Sequence, residues 1–183
     1  MTTAAPSQTI AEELLGIMRR IPEQRLDELA ELIMASRRLF VAGAGRSGLM
    51  MRAFAMRLVH LGFETYVVGE TVTPALEAGD LLILGSGSGE TRSLVSIAEK
   101  ASSLQAAIAL ITVAPDSSLR RLAQLAVPIP AAVKTEATDA TVQPMGSLFE
   151  QSLLIVLDAV VLKMMRRQGI EATAMMNRHA NLE

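Results

Sequence analysis

Two short stretches hold the residues best suited to chemistry. The first is Gly43-Ala44-Gly45-Arg46-Ser47-Gly48 and the second is Gly85-Ser86-Gly87-Ser88-Gly89-Glu90-Thr91. Each follows an apolar run that reads as a strand and precedes a helical pattern. The first turn of a helix has unpaired N–H groups and a partial positive charge. Glycines let backbone approach an anion, and hydroxyls add donors. Ser86, Ser88 and Thr91 can all point at one phosphate if the loop wraps it. On the loop alone, a plain turn with an N-cap fits as well. The second stretch does not end in Gly-Lys-Ser/Thr and lacks the Rossmann glycine spacing, so it is not a nucleotide motif.

Three further side chains bear on a reaction. Arg46 sits at the mouth of the first loop and can meet an anion or a sugar hydroxyl; as a bland alternative it is a surface arginine. Glu150 lies at the start of an otherwise apolar helix, between Phe149 and Gln151. It can act as a base, or merely complement the helix dipole. His179 can move protons, although a histidine so near a terminus commonly lies in a frayed tail. His60, just before Leu61-Gly62, reads first as a structural residue at a helix C-terminus and second as a catalytic candidate. Arg52 and Arg57 lie inside the same helix and read as structural or interface residues. Glu70 and Thr71 are placed at a strand end facing the same crevice, where they could touch a sugar. Glu90 is expected to interact with the start of the helix after the second loop.

The elements that must position these groups alternate along the chain. Helices are expected over 7–20, capped by Ser7, and from Pro22 to about Ser36. Strands are expected over 38–43, 63–68, 81–84, 106–113 and 127–130. The fourth is nearly all apolar and reads as central, buried on both faces; the prolines of the fifth suit an edge. Helices follow over 48–61, 91–103 and 118–124. A loop is expected over 131–144, including Lys134-Thr135-Glu136. A long helix then runs from about Met145 to Arg167, apolar almost all round, which implies burial, here read as burial between subunits. Alternating strands and helices predict one α/β domain over 1–183, an α/β/α sandwich on a five-stranded parallel sheet. Loops after parallel strands open at the carboxyl edge, so both glycine-rich loops would face one crevice if their strands are neighbours.

Composition narrows the function. The chain has 183 residues, 50 % hydrophobic and only 3 % aromatic, with net charge −2. Stacking platforms for single-stranded nucleic acid are missing, and no global basic field exists to hold a phosphate backbone. There are no cysteines, which removes disulfides, zinc–thiolate sites and cysteine nucleophiles. No His, Asp and Glu group has metal-ligand spacing. No leader pattern is read at the N-terminus. The apolar region 148–165 is broken by Glu150, Asp158 and Lys163, against a membrane span.

Gly43 to Ser47 and Ser86 to Thr91 resemble the two signature loops of the sugar isomerase (SIS) domain family. Within it, the chain from about residue 8 onward is similar to the 6-phospho-3-hexuloisomerases. Gly43 to Gly62, Pro144-Met-Gly-Ser-Leu-Phe-Glu150 and Arg178-His-Ala-Asn-Leu-Glu183 carry that closer likeness. The resemblance implies the three-layer, flavodoxin-like SIS fold. It also implies interconversion of D-arabino-3-hexulose 6-phosphate and D-fructose 6-phosphate, in the ribulose monophosphate pathway of formaldehyde assimilation. No metal or organic cofactor is implied. A cytoplasmic homotetramer with active sites near subunit boundaries is implied, with no nucleic-acid or membrane partner. Ser47, Ser86, Ser88 and Thr91 would hold the phosphate, with backbone approach at Gly87 and Gly89 and Arg46 nearby. Glu150 would be the enolising base, and His179 would shuttle oxygen protons or open the sugar ring, on a tail docked over an active site, its own or a neighbour's. Two other functions compete: a pentose-phosphate aldose–ketose isomerase and a non-catalytic phosphosugar sensor. A sensor normally adds a DNA-binding domain; beyond the two short N-terminal helices none is expected here, and no basic patch is read.

Overall fold

A computed structural model of the chain describes residues 5–131 and 141–182. Five strands, β1 (Leu39–Gly43), β2 (Thr65–Val67), β3 (Leu81–Gly85), β4 (Ala107–Thr112) and β5 (Leu125–Pro128), form one sheet. All neighbouring pairs are parallel, in the order β2-β1-β3-β4-β5. The middle strand is β3; β4 lies one place from the edge, although its side chains are buried as the sequence predicts. The proline-bearing β5 is an edge strand.

Seven helices accompany the sheet among the described residues: α1 (Pro6–Met18), α2 (Glu23–Ala35), α3 (Gly45–Leu61), α4 (Arg92–Ser103), α5 (Ser118–Leu122), α6 (Ser147–Gln168) and α7 (Ala172–Met176). Side chains alternate across a strand, and that alternation divides the core in two. Leu39, Val41, Leu81 and Ile83 pack with α1, α2, α3 and α6. Phe40, Ala42, Leu82 and Leu84 pack with α4 and α5. The result is the expected three-layer α/β/α sandwich. No helix among the described residues is long and apolar enough to cross a membrane.

Several local readings change. Ser7 does not cap α1; Ala5 precedes the helix and Pro6 takes the first turn, where its missing N–H loses nothing. α3 begins at Gly45, three residues before the expected start at Gly48, so Arg46 and Ser47 belong to its first turn. α6 begins at Ser147 and is apolar mainly on one side. Lys163 and Arg167 pair with Glu23, Asp27 and Glu31 of α2, while Ile155 and Leu162 stay exposed. The tail forms the unforeseen α7. Residues 132–140 of the expected loop, with Lys134-Thr135-Glu136, lie outside the described residues, as does Glu183.

The amino-terminal ends of β1 and β3 are joined by charge. The fully buried Asp80 carboxylate accepts from Arg38 Nη2 at 2.7 Å, Arg38 Nε and Arg37 Nε at 3.1 Å each, and the Glu77 N–H at 2.8 Å. Burial alone would raise this carboxyl; the bonds from Arg38, Glu77 N–H and Arg37 outweigh it and hold the group below the usual aspartate range. Removing one partner of a buried pair strands the other. Asp80→Asn should therefore lower stability by about 3 kcal/mol at neutral pH in urea titration. The folded value lies below the unfolded value of ~3.9, so the contribution is complete above that pH and is lost as pH falls through the folded value. The gap between wild type and variant should close on acidification; a gap that stays constant into strong acid would contradict this reading.

Candidate active site

β1 and β3 are neighbours, and Gly43 and Gly85 are register partners at their carboxyl ends. The chain leaves β1 into α3 on one face and leaves β3 toward α4 on the other. That divergence is a topological switch point, where an open α/β sheet forms a crevice. Close packing fixes the first loop: a Cβ on Gly43 would stand 2.9 Å from the Gly48 nitrogen, and one on Gly48 only 2.7 Å from the Gly43 oxygen. Only glycine at both positions lets α3 start against the strand end, with its first-turn N–H groups toward the crevice.

The second loop is held from within and from behind. Ser86, 3 % exposed, accepts the Gly89 N–H on Oγ at 3.2 Å, and Ser88 Oγ accepts the Glu90 N–H at 3.3 Å. The Gly87 carbonyl accepts from the Thr112 hydroxyl at 3.1 Å and from the Val113 N–H at 3.2 Å. Gly89 has φ +64°, and a Cβ there would stand 2.1 Å from Ser117 Oγ. Thr91 is the N-cap residue of α4 without a side-chain capping bond. Among the described residues the Gly87 and Ser88 N–H groups have no partner, which leaves donors for an anion.

The third wall is the start of α6. Arg46 donates from Nη1 to Ser147 Oγ at 3.0 Å and pairs through Nε with Glu150 Oε2 at 3.2 Å. The Glu150 side chain is only 12 % exposed, whereas that of Arg46 is 55 % exposed. Together the loops and α6 line a crevice of about 240 Å³ containing Arg46, Ser47, Ser86, Gly87, Ser88, Thr91, Phe149 and Glu150. An anion can sit on the loops while the carboxylate faces an adjacent carbon atom. This chemistry suits a phosphorylated substrate with an acidic C–H.

His179 is not brought to this crevice within the chain. Its ring lies 5.2 Å from that of His60, and Arg178 Nη1 donates to the His60 carbonyl at 3.3 Å. His60 is in the last turn of α3 and Ser47 in the first, about 20 Å apart at 1.5 Å rise per residue. His60 is buried; burial, then the nearby charges of His179 and Arg57, push its pKa down. Two expectations are corrected. Glu70 and Thr71 do not line the crevice; the Glu70 carboxylate pairs instead with Arg52 of α3. Glu90 does not serve α4; its Oε1 accepts the Ser118 N–H of α5 at 2.7 Å, and this backbone bond, with the Ser118 side chain, lowers its pKa. Thr112 and Ser147 are not singled out by the sequence: Thr112 offers no local signal, and Ser147 lies inside the stretch Pro144 to Glu150, yet its partner is far away in sequence. Ser117, at the expected start of the helix over 118–124, caps α5 by accepting the Arg120 N–H at 3.3 Å.

A model of the SIS domain family matches residues 32–158. A 3-hexulose-6-phosphate isomerase from Bacillus subtilis (strain 168) is 47 % identical over 185 residues, covering 100 % of both chains. One from Mycobacterium gastri is 45 % identical over 175 residues, covering 95 % of this chain and 88 % of its own. A crystal structure from Methanococcus jannaschii, described as inferring a molecular function of 3-hexulose-6-phosphate isomerase, superposes with a TM-score of 0.85 at 36 % identity, covering 97 % of this chain and 98 % of that one.

The second loop gives a direct test. Alanine at Gly89 must adopt a left-handed backbone and displace Ser117. Gly89→Ala should weaken binding of inorganic phosphate roughly tenfold or more in calorimetry, with helical circular dichroism retained. Wild-type affinity would show that this loop is not the anion cradle.

Proposed function

The chain belongs to the SIS domain family, and on that footing we propose that it interconverts D-arabino-3-hexulose 6-phosphate and D-fructose 6-phosphate. The observation that carries the reading is the Glu150 carboxylate, half-enclosed in the same crevice as both loops and held by Arg46. Ser47, Ser86, Ser88 and Thr91 bind the phosphate, with backbone N–H groups of the second loop. The sugar then extends toward α6. Moving the carbonyl from C3 to C2 requires loss of the C2 proton and gain of one at C3. Glu150 takes the C2 proton as the C3 carbonyl oxygen is protonated, giving a 2,3-enediol. The O2 proton then leaves, the C2 carbonyl forms, and Glu150 returns a proton to C3. Arg46 stabilises the negative charge that develops on oxygen.

His179 manages the oxygen protons and opens the ring, from a neighbouring copy of the chain. Two features support self-association. His179 stands at the far end of α3 from its own crevice. Leu49, Met56 and Val59 of α3, and Ile155 and Leu162 of α6, are exposed apolar residues at helical spacing on helices that pack together. The reading is of a cytoplasmic homotetramer acting in the ribulose monophosphate pathway of formaldehyde assimilation.

Turnover of 3-hexulose 6-phosphate, with fructose 6-phosphate detected by a coupled assay, tests both parts. Glu150→Gln should lose on the order of 10²- to 10⁴-fold in rate while still binding substrate. His179→Ala should also be slow. Mixed oligomers of the two variants should regain about a quarter of wild-type turnover, since random mixing restores that share of sites built from two chains. No recovery would place both residues in one chain's site, and a fully active Glu150→Gln would move the base elsewhere.

A further inference from the structure

The first residue of α6 has a role that helix initiation does not explain. Ser147 is 8 % exposed, and its hydroxyl accepts a hydrogen bond from Arg46 Nη1 at 3.0 Å. The same guanidinium meets Glu150 Oε2 through Nε at 3.2 Å. Ser147 and Glu150 are three residues apart, so they share one face of the helix. The planar fork of the arginine spans the two.

We propose that Ser147 is a positioning residue for the isomerisation: it fixes Arg46, and through Arg46 it fixes the Glu150 carboxylate. The proposal rests on Glu150 being the base. Arg46 starts from a rigid point, because the Gly43–Gly48 contact sets the first turn of α3. Its side chain nevertheless extends into a half-open crevice, where a long arginine has many rotamers. The Ser147 hydroxyl selects one of them. In that rotamer Arg46 occupies Oε2 and leaves Oε1 over Gly146, where an added Cβ would stand 3.8 Å from it. Oε1 has no hydrogen-bond or ion-pair partner among the described residues, which leaves it for the carbon-bound proton. Without the hydroxyl, Arg46 spreads over several rotamers and the carboxylate turns. Misplacing a base by about an ångström costs rate far more than it costs binding.

The test is a double-mutant cycle in the full oligomer, with kcat and KM measured on 3-hexulose 6-phosphate and folding followed by thermal melting. Ser147→Ala should lower kcat on the order of tenfold with KM within about twofold of wild type. Ser147→Thr keeps the hydroxyl and should stay close to wild type. In an Arg46→Gln background, Ser147→Ala should cost almost nothing further, because the group it holds is gone. A merely structural serine would slow both backgrounds equally. The proposal is overturned by wild-type kcat in Ser147→Ala, by a Ser147→Thr variant as slow as the alanine, or by losses that multiply in the Arg46→Gln background. Those results can arise while Glu150→Gln remains inactive, which separates them from failure of the base assignment. A fully active Glu150→Gln would overturn that assignment and this proposal with it.

Discussion

Gly43 and Gly48 stand so close that a Cβ on either would collide with the other's backbone. This contact brings the start of α3 onto the end of β1 and turns its first N–H groups into the crevice. It also aims Arg46 at α6. The neighbouring strand end, at Gly85, begins the second loop in register with Gly43. Sheet topology thus places both loops side by side, and the glycine contact decides how deeply they enclose what lies between them. Phosphate recognition at such a place needs no net positive charge, since helix starts and oriented amides supply the field.

The crevice has a second dependency in α6. One side of this helix is core, with Leu153, Val156, Leu157 and Val160 almost fully buried. Its first turn carries Ser147 and Glu150. The burial of the helix therefore positions the Glu150 carboxylate at its end, on the wall of the crevice. The ion pairs of Lys163 and Arg167 with α2 are partly exposed and individually worth little; the apolar contact does most of the anchoring. Further up the chain, Glu13 of α1 accepts from Thr141, the Val142 N–H and the Gln143 amide. That carboxylate fastens the segment entering α6, joining the N-terminal helix to the site.

Much of this was legible in the sequence because it is local. Apolar runs ending in glycine gave the strands, and hydroxyl-rich loops before helical patterns gave the two loops that line the crevice. Glu150 stood out as a charge opening an apolar helix. The start of α3 was misjudged because Gly45-Arg46-Ser47-Gly48 reads as loop, although Gly45, at φ +56°, already begins the helix. Contacts across the fold were not legible. Glu70 meets Arg52, Glu90 meets α5, and Ser147 meets an arginine 101 residues away; none of these follows from spacing. The family likeness singled out His179, yet its place beside His60, far from its own chain's Glu150, depends on how α7 folds back along α3.

The proposed isomerisation runs through a 2,3-enediol formed in this crevice. Its most direct test is isotope exchange. Fructose 6-phosphate would be incubated with the enzyme in deuterium oxide and followed by NMR. With a 2,3-enediol, deuterium replaces the hydrogen at C3 and the C1 hydrogens stay unexchanged. Exchange at C1 would mean a 1,2-enediol, the intermediate of an aldose–ketose isomerase, and would rule out the 2,3-enediol route.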